Sequence, residues 1–434
     1  MNTLDQKSAK ELILHLKAGT TPLDMVRNIN VGNERWYQGC EQLFDQVEKS
    51  RDSLVRFING YYGDGKTHFL GMLRAMAFER KWAVGYVSAE TTPFSRYDLV
   101  LSQLVRNIVL PEGLPILDWL PQPQKGGERL FGAFFTSHYV AVTGSTTKAG
   151  LSRFGVHDDM KSRVEASLNN LRMHDALGKA AKEYVKAAMG QDAVGMREIP
   201  AWLEGQDVDV SRYGIKKKLN QDVSRDVLRG VSSLARGSGI SGVLVLLDEA
   251  ERILGNTRTI RKKSYGVIRD LLDNADDQGG MPSSMFYIAA TPDMFSKPEG
   301  FAEYDALRSR LASSQKFSVG NLVDWRGVIV DLTKTPLKHE SLVKVAHKIR
   351  DVHALAQGWD PSTRVPDSLL ESIVGRIEAG VFQVSKMRML ASSVATLIDA
   401  AEQNPDVDLH PLLDDIFKQV ATSLSAAPPQ EKWE

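Results

Sequence analysis

Eight consecutive residues constrain this chain more than any other feature: Gly60-Tyr61-Tyr62-Gly63-Asp64-Gly65-Lys66-Thr67, which fit G-x-x-x-x-G-K-[S/T]. They follow an apolar β-type run, LVRFING at 54–60, and precede a segment of helical period that starts at His68. That context is what the motif needs. Gly60, Gly63 and Gly65 let the backbone curl, so that its N–H groups and the N-terminus of the next helix converge on phosphate oxygens, with Asp64 and His68 beside them. Lys66 supplies a cation, and Thr67 a hydroxyl for Mg²⁺. The competing explanation is a glycine-rich turn that happens to precede Lys-Thr; a strand before and a helix after speak against it.

A second motif, VLVLLDEAE at 243–251, is an apolar strand that delivers Asp248 and Glu249 at its carboxyl end, the edge where open α/β sheets bind ligands. Asp248 would hold Mg²⁺ and Glu249 would polarise an attacking water. Read alone, the pair is also what an ordinary strand terminus opening a helix would carry. A third strand ends in AATPD at 289–293, which places Thr291 at the same edge, as a phosphate or water contact or as a simple N-cap before Pro292. Downstream, ALRSRL carries Arg308 and Arg310 near a helix end. An arginine supplied in trans is worth ~10³–10⁵ in the rate of phosphoryl transfer; a solvated helix arginine is the bland alternative.

The β/α rhythm predicts strands at 54–60, 83–90, 242–250, 284–291 and 327–333, hence a parallel sheet sandwiched by helices. The expected division is a helical arm at 1–28, a nucleotide-binding domain at 29–333, a helical lid at 334–424 and a frayed tail at 425–434. Lys66 and Asp248 are much further apart than one βαβ unit requires. A largely helical insertion at about 111–235, with helices at 161–189 and 215–236, accounts for the distance. Lys+Arg and Asp+Glu both number 54, so no bulk field draws the chain to nucleic acid or a membrane. DNA contact would need a local patch. The two densest basic stretches are Lys216-Lys217-Lys218 with Arg225, Arg229 and Arg236, interrupted by Asp222 and Asp226, and Arg258 with Arg261, Lys262 and Lys263; either could meet DNA phosphates, but a solvated helix face is the more common explanation of such runs. The single cysteine, Cys40, excludes an internal disulfide framework and a cysteine zinc site. No window approaches eighteen apolar residues and the start lacks a leader pattern, so a cytoplasmic protein without a membrane partner is expected.

The order of these motifs, with helices to follow, resembles the AAA+ ATPases and especially their initiator-like branch. Narrower strings resemble the ATP-binding proteins of BREX bacteriophage-exclusion systems: VGNERW at 31–36, FINGYYGDGKTHFL at 57–70, AWLEG at 201–205, LLDEAERI at 246–253, RKKSYGVIRDLLDNAD at 261–276 and ATPDMF at 290–295. The resemblance implies ATP and Mg²⁺ as cofactors, with Gly63, Gly65, Lys66, Thr67 and Asp248 holding them and Glu249 on the catalytic strand. It makes Thr291 the first sensor, Arg310 the arginine finger with Arg308 as runner-up, and Arg388 in VSKMRMLASSV the second sensor. That branch usually has proline just before this arginine; here it is Met387. Val31 and Gly32 would lie against adenine through their backbone. The resemblance also implies an ATPase of a DNA-associated antiphage complex, working as a homo-oligomer beside a helicase or modification enzyme, or else a loader with little turnover.

Overall fold

The computed structural model of the chain describes residues 4–171, 173, 175–215, 219–275, 281–315, 323–380 and 385–426. Strands β1 (Ser53–Asn59), β2 (Ala83–Ser88), β3 (Val243–Asp248), β4 (Ser284–Ala290) and β5 (Ile329–Asp331) pair in parallel, in the order β2-β3-β4-β1-β5. All residues of β3 and of β4 are buried, which is why both read as unbroken apolar runs. The α/β expectation with a parallel sheet is met, and each strand lies within two residues of its predicted start.

Alternation along the strands sends side chains to two cores. Ile58, Val84, Leu244, Leu246 and Met285 face the helices Glu34–Ser50 and Lys66–Glu79, whose Phe44, Phe69, Leu70 and Leu73 cover them. Phe57, Val87, Val245, Leu247 and Ile288 face the other way, into one apolar cluster shared with Phe131, Phe134, Tyr184 and Leu234 of the insertion. The insertion therefore supplies the second layer of the sandwich. It contains the helices Val156–Asn170, Asp175–Met189 and Gln221–Gly237, where periodicity predicts 161–189 and 215–236. Two further helices, Gly127–Thr143 and Ala193–Leu203, escape the sequence reading. The first is buried over most of its circumference, so no polar face reveals its period; the second carries Pro200 inside it.

The helices His339–Gln357, Asp367–Ala379 and Lys386–Gln403 build a separate core, and the amino-terminal helix Gln6–Lys17 belongs to it. Asp5 caps that helix by accepting from Ser8 N at 2.7 Å, and Ala9, Leu12, Ile13 and Leu16 pack between His339–Gln357 and Lys386–Gln403. It does not stand away as an arm. Its last residue, Lys17, pairs with Asp399, which also accepts from His353 Nε2 at 2.7 Å. Trp359 Nε1 donates to His353 Nδ1 at 3.2 Å, so the imidazole proton sits on Nε2. Among the described residues no helix is long and apolar enough to cross a membrane.

Candidate functional site

A cleft of about 1280 Å³ opens at the carboxyl ends of the strands, between the sheet and the carboxy-terminal helices. Its position follows from topology. The chain leaves β1, crosses to the far edge at β2 and returns through β3 and β4, so the loops after β1 and β3 open on the same edge, where the strand order reverses.

The loop after β1 forms the cleft floor. Gly63 and Gly65 have φ of +89° and +86°, a left-handed conformation that only glycine adopts at little cost. A Cβ on Gly63 would lie 1.9 Å from the Ser385 Cβ, so the loop touches the amino end of the helix Lys386–Gln403. Asp64 ties the loop together: its carboxylate accepts from Tyr61 N at 2.7 Å, and its own N–H donates to Tyr61 O at 3.1 Å. Burial raises the Asp64 carboxyl above its ordinary range. Lys66 is buried and donates to Gly60 O at 3.0 Å and to Tyr61 O at 3.2 Å.

Opposite the loop, Asp248 is 1 % exposed at the end of β3 and accepts from Thr67 Oγ1 at 3.1 Å. A hydroxyl from the first turn of the helix Lys66–Glu79 and a carboxylate from the end of β3 at this distance form an oxygen pair suited to a hard divalent cation. Glu249 has φ +55° and opens the turn Ala250–Gly255; its carboxylate accepts from Arg252 Nε at 3.0 Å, and Arg252 also reaches Glu90 at 3.2 Å. Glu251, to which the sequence reading assigns nothing, faces Lys66 from the same turn at 4.0 Å. Burial pushes its carboxyl up, partly offset by Lys66 and by the Thr291 amide.

The other end of the cleft is apolar, lined by Ile29, Val31, Leu337, Leu342 and Val345. Gly32 has φ +84°, and a Cβ there would lie 2.4 Å from Leu337 Cδ2. Asn30 anchors this strip: its side-chain oxygen meets His68 Nε2 at 2.9 Å and Tyr37 OH at 3.2 Å, and Lys348 donates to its carbonyl at 2.9 Å. Burial, and then the Lys348 charge, bring His68 down to about 4, so it is neutral near pH 7. Apolar walls at one end, curled amides and a cation in the middle and an oxygen pair beyond them match a base, a polyphosphate and its metal in that order.

Of the residues singled out from sequence, Val31, Gly63, Asp64, Gly65, Lys66, Thr67, His68, Asp248, Glu249 and Arg388 line this cleft. Gly60 contributes its carbonyl to Lys66, and Gly32 packs against Leu337. Arg388 sits in the first turn of Lys386–Gln403, where its amide donates to the Ser385 hydroxyl at 3.2 Å. Thr291 is not in the lining; it is buried behind Glu251, before the helix Pro292–Ser296. Arg310 and Arg308 also lie off the cleft, on the helix Asp305–Gln315, where Arg310 pairs with Asp273 at 2.6 Å and Arg308 with Asp305 at 2.7 Å.

The basic stretches are largely answered by acids. Glu303 accepts from Arg258 at 3.1 Å and from Arg261 at 2.9 Å, while Arg225 lies 3.6 Å from Asp270 and Arg229 is 3.6 Å from Asp226. Lys262 and Lys263 are exposed; Lys216, Lys217 and Lys218 lie outside the described residues.

The sequence reading missed Asn30, Glu90, Glu251, Arg252, Lys348 and Ser385. Glu251 and Arg252 lie inside LLDEAERI, Ser385 inside VSKMRMLASSV and Asn30 just before VGNERW, but the contacts of Glu251 with Lys66 and of Arg252 with Glu90 come from distant parts of the chain. A family model described as BREX system ATP-binding protein BrxC/D matches residues 4–416, nearly the whole chain. No curated protein matches it.

Proposed function

The chain belongs to the BREX system ATP-binding protein family BrxC/D, and from that premise we propose that it is an AAA+ ATPase whose turnover drives or switches a DNA-associated antiphage complex. The observation that carries the reading is the convergence of Lys66, Thr67 and Asp248 beneath the curled loop at 60–65, with Thr67 and Asp248 hydrogen-bonded to each other. Gly63 and Gly65 would present the loop amides to the phosphates of ATP, and Lys66 would turn from Gly60 and Tyr61 to meet them. Thr67 and Asp248 would hold Mg²⁺, which when bound neutralises charge that develops on the phosphates. Glu249 would orient and deprotonate the water, and Arg388 would carry the nucleotide state into the carboxy-terminal lid. Val31 and Gly32 would border adenine. Arg310 lies away from its own cleft, which fits a finger offered to a neighbour in a homo-oligomer.

Lys66→Ala should abolish ATP binding, whereas Glu249→Gln should bind ATP normally and lose turnover by about 10²-fold or more. Calorimetry and phosphate release on the three proteins test this. Equal ATPase activity in all of them would refute the assignment.

A second reading, a nucleotide-dependent loader with little turnover that recruits a helicase or modification partner, has one observation in its favour. The Glu249 carboxylate is held by Arg252, itself bridged to Glu90, so the water-activating group is engaged elsewhere. Turnover with and without duplex DNA separates the two readings. Stimulation of several fold supports the first, and tight ATP binding with no turnover under either condition supports the second. Direct DNA contact would fall to Lys262, Lys263 and the stretch at 216–218, since Arg261 is paired with Glu303.

A further inference from the structure

Glu251 lies three residues beyond Asp248, and its side chain is 6 % exposed. Its Oε1 is 4.0 Å from Lys66 Nζ; its Oε2 has no hydrogen-bond partner among the described residues. Lys66 is turned inward. Two of its donors go to Gly60 O and Tyr61 O, the Tyr62 ring lies 5.1 Å over the ammonium, and Glu251 supplies the facing negative charge. Of the other groups around Glu251, Glu249 repels its charge, whereas the Tyr62 hydroxyl and the Thr291 amide favour it. A buried carboxylate with one oxygen unsatisfied is a standing cost to the fold unless a nearby cation or a functional demand offsets it.

Building on the nucleotide-site reading above, we propose that Glu251 is a positioning residue that competes with phosphate for Lys66, an anion in the cleft wall that sets how tightly a triphosphate is held. An ammonium has three N–H donors, and here two are committed to the loop's own carbonyls while the charge faces Glu251. A polyphosphate in the loop must draw that cation away. It also brings negative charge within the reach of a second buried anion, where screening by water is weak. Both effects oppose binding, and both grow with the charge of the ligand. Facing Lys66, the carboxylate has a partner for its charge even though its Oε2 has no hydrogen-bond partner among the described residues.

The test is calorimetric titration of ATP and of ADP, with Mg²⁺, into the full chain. Glu251→Gln removes the charge and keeps the shape, and should bind ATP about tenfold more tightly than the wild type, with a smaller gain for ADP. Glu251→Asp keeps the charge and should stay within about threefold of the wild type. Thermal unfolding of each variant confirms a folded sample, and Glu251→Ala replaces the glutamine variant if that one does not fold. A merely structural role would lower the melting temperature and would not tighten binding. Equal or weaker ATP affinity in the charge-neutral variant overturns the inference and leaves the nucleotide site standing; a wild type that binds neither nucleotide overturns both.

Discussion

Gly63 shows how one residue meets two demands at once. Its φ of +89° disfavours any side chain by roughly 1–2 kcal/mol, and the Ser385 side chain fills the space a Cβ would need. Gly65 shares the first demand but meets only the His68 Cβ, at 3.9 Å. Gly63→Ala should therefore weaken ATP binding by about tenfold or more, through the loop and the displaced helix Lys386–Gln403 together, whereas Ser385→Gly in the same background should recover part of the loss. Affinities for the three proteins decide the matter; a Gly63→Ala protein that binds like the wild type would show that the close approach to Ser385 has no bearing on the site. Sequence reasoning sees that a glycine is wanted in the loop, but not that the second reason comes from a residue more than three hundred positions away.

Among the elements, the helix Gln6–Lys17 is tied to the carboxy-terminal helices by its apolar stripe and by the group formed by Lys17, Asp399, His353 and Trp359. His353, Asp399 and Glu402 lie close enough together to suggest a metal site. Their ligand atoms are already engaged by Lys17 and by one another, however, so the group reads as an interlock. Burial alone would raise the Asp399 carboxyl, but His353 and Lys17 more than offset it and hold it below 3.8. A depressed carboxylate stabilises the fold fully above its ordinary value and loses that contribution as pH falls through the depressed one. Asp399→Asn should cost about 1–3 kcal/mol near neutral pH, and the deficit should shrink below pH 3.8. Urea unfolding at neutral and acid pH checks both statements. A constant deficit across that range would mean that the charge of Asp399 is not what joins the two ends of the chain.

At the scale of the whole molecule, the cleft is bounded by segments from the beginning, middle and end of the chain: the strip at 29–33, the loops after β1 and β3, and the start of the helix Lys386–Gln403. Lys348, from a carboxy-terminal helix, holds the Asn30 carbonyl at the apolar end, and Ser385 abuts Gly63 at the other. Both ends of the cleft are therefore tied to the carboxy-terminal helices. Arg310, outside that enclosure, belongs to the proposal about assembly. Arg310→Ala should keep ATP affinity and lose turnover by about 10³-fold, and mixing it with Lys66→Ala should restore some activity, because a mixed interface joins an intact cleft to an intact arginine. If the mixture stays as inactive as its parts, Arg310 acts within its own chain through Asp273.

What could be read from the sequence was local and periodic. The strands announced themselves by continuous apolar runs because both sheet faces are covered, and the residues at 60–67 and 248–249 by a spacing that only a strand-loop-helix setting makes meaningful. Periodicity failed where burial is nearly complete, as in Gly127–Thr143, and it could not say what the face of Gln6–Lys17 would cover. The side-chain partnerships were beyond it altogether. That Lys66 faces Glu251 and that Arg252 reaches Glu90 were decided by the order in which the strands lie side by side, and that Asn30 is gripped from three elements by how the helices pack over them. Hydrogen bonds and ion pairs act over a few ångströms of space, and distance along the chain carries almost no information about which groups will be that close.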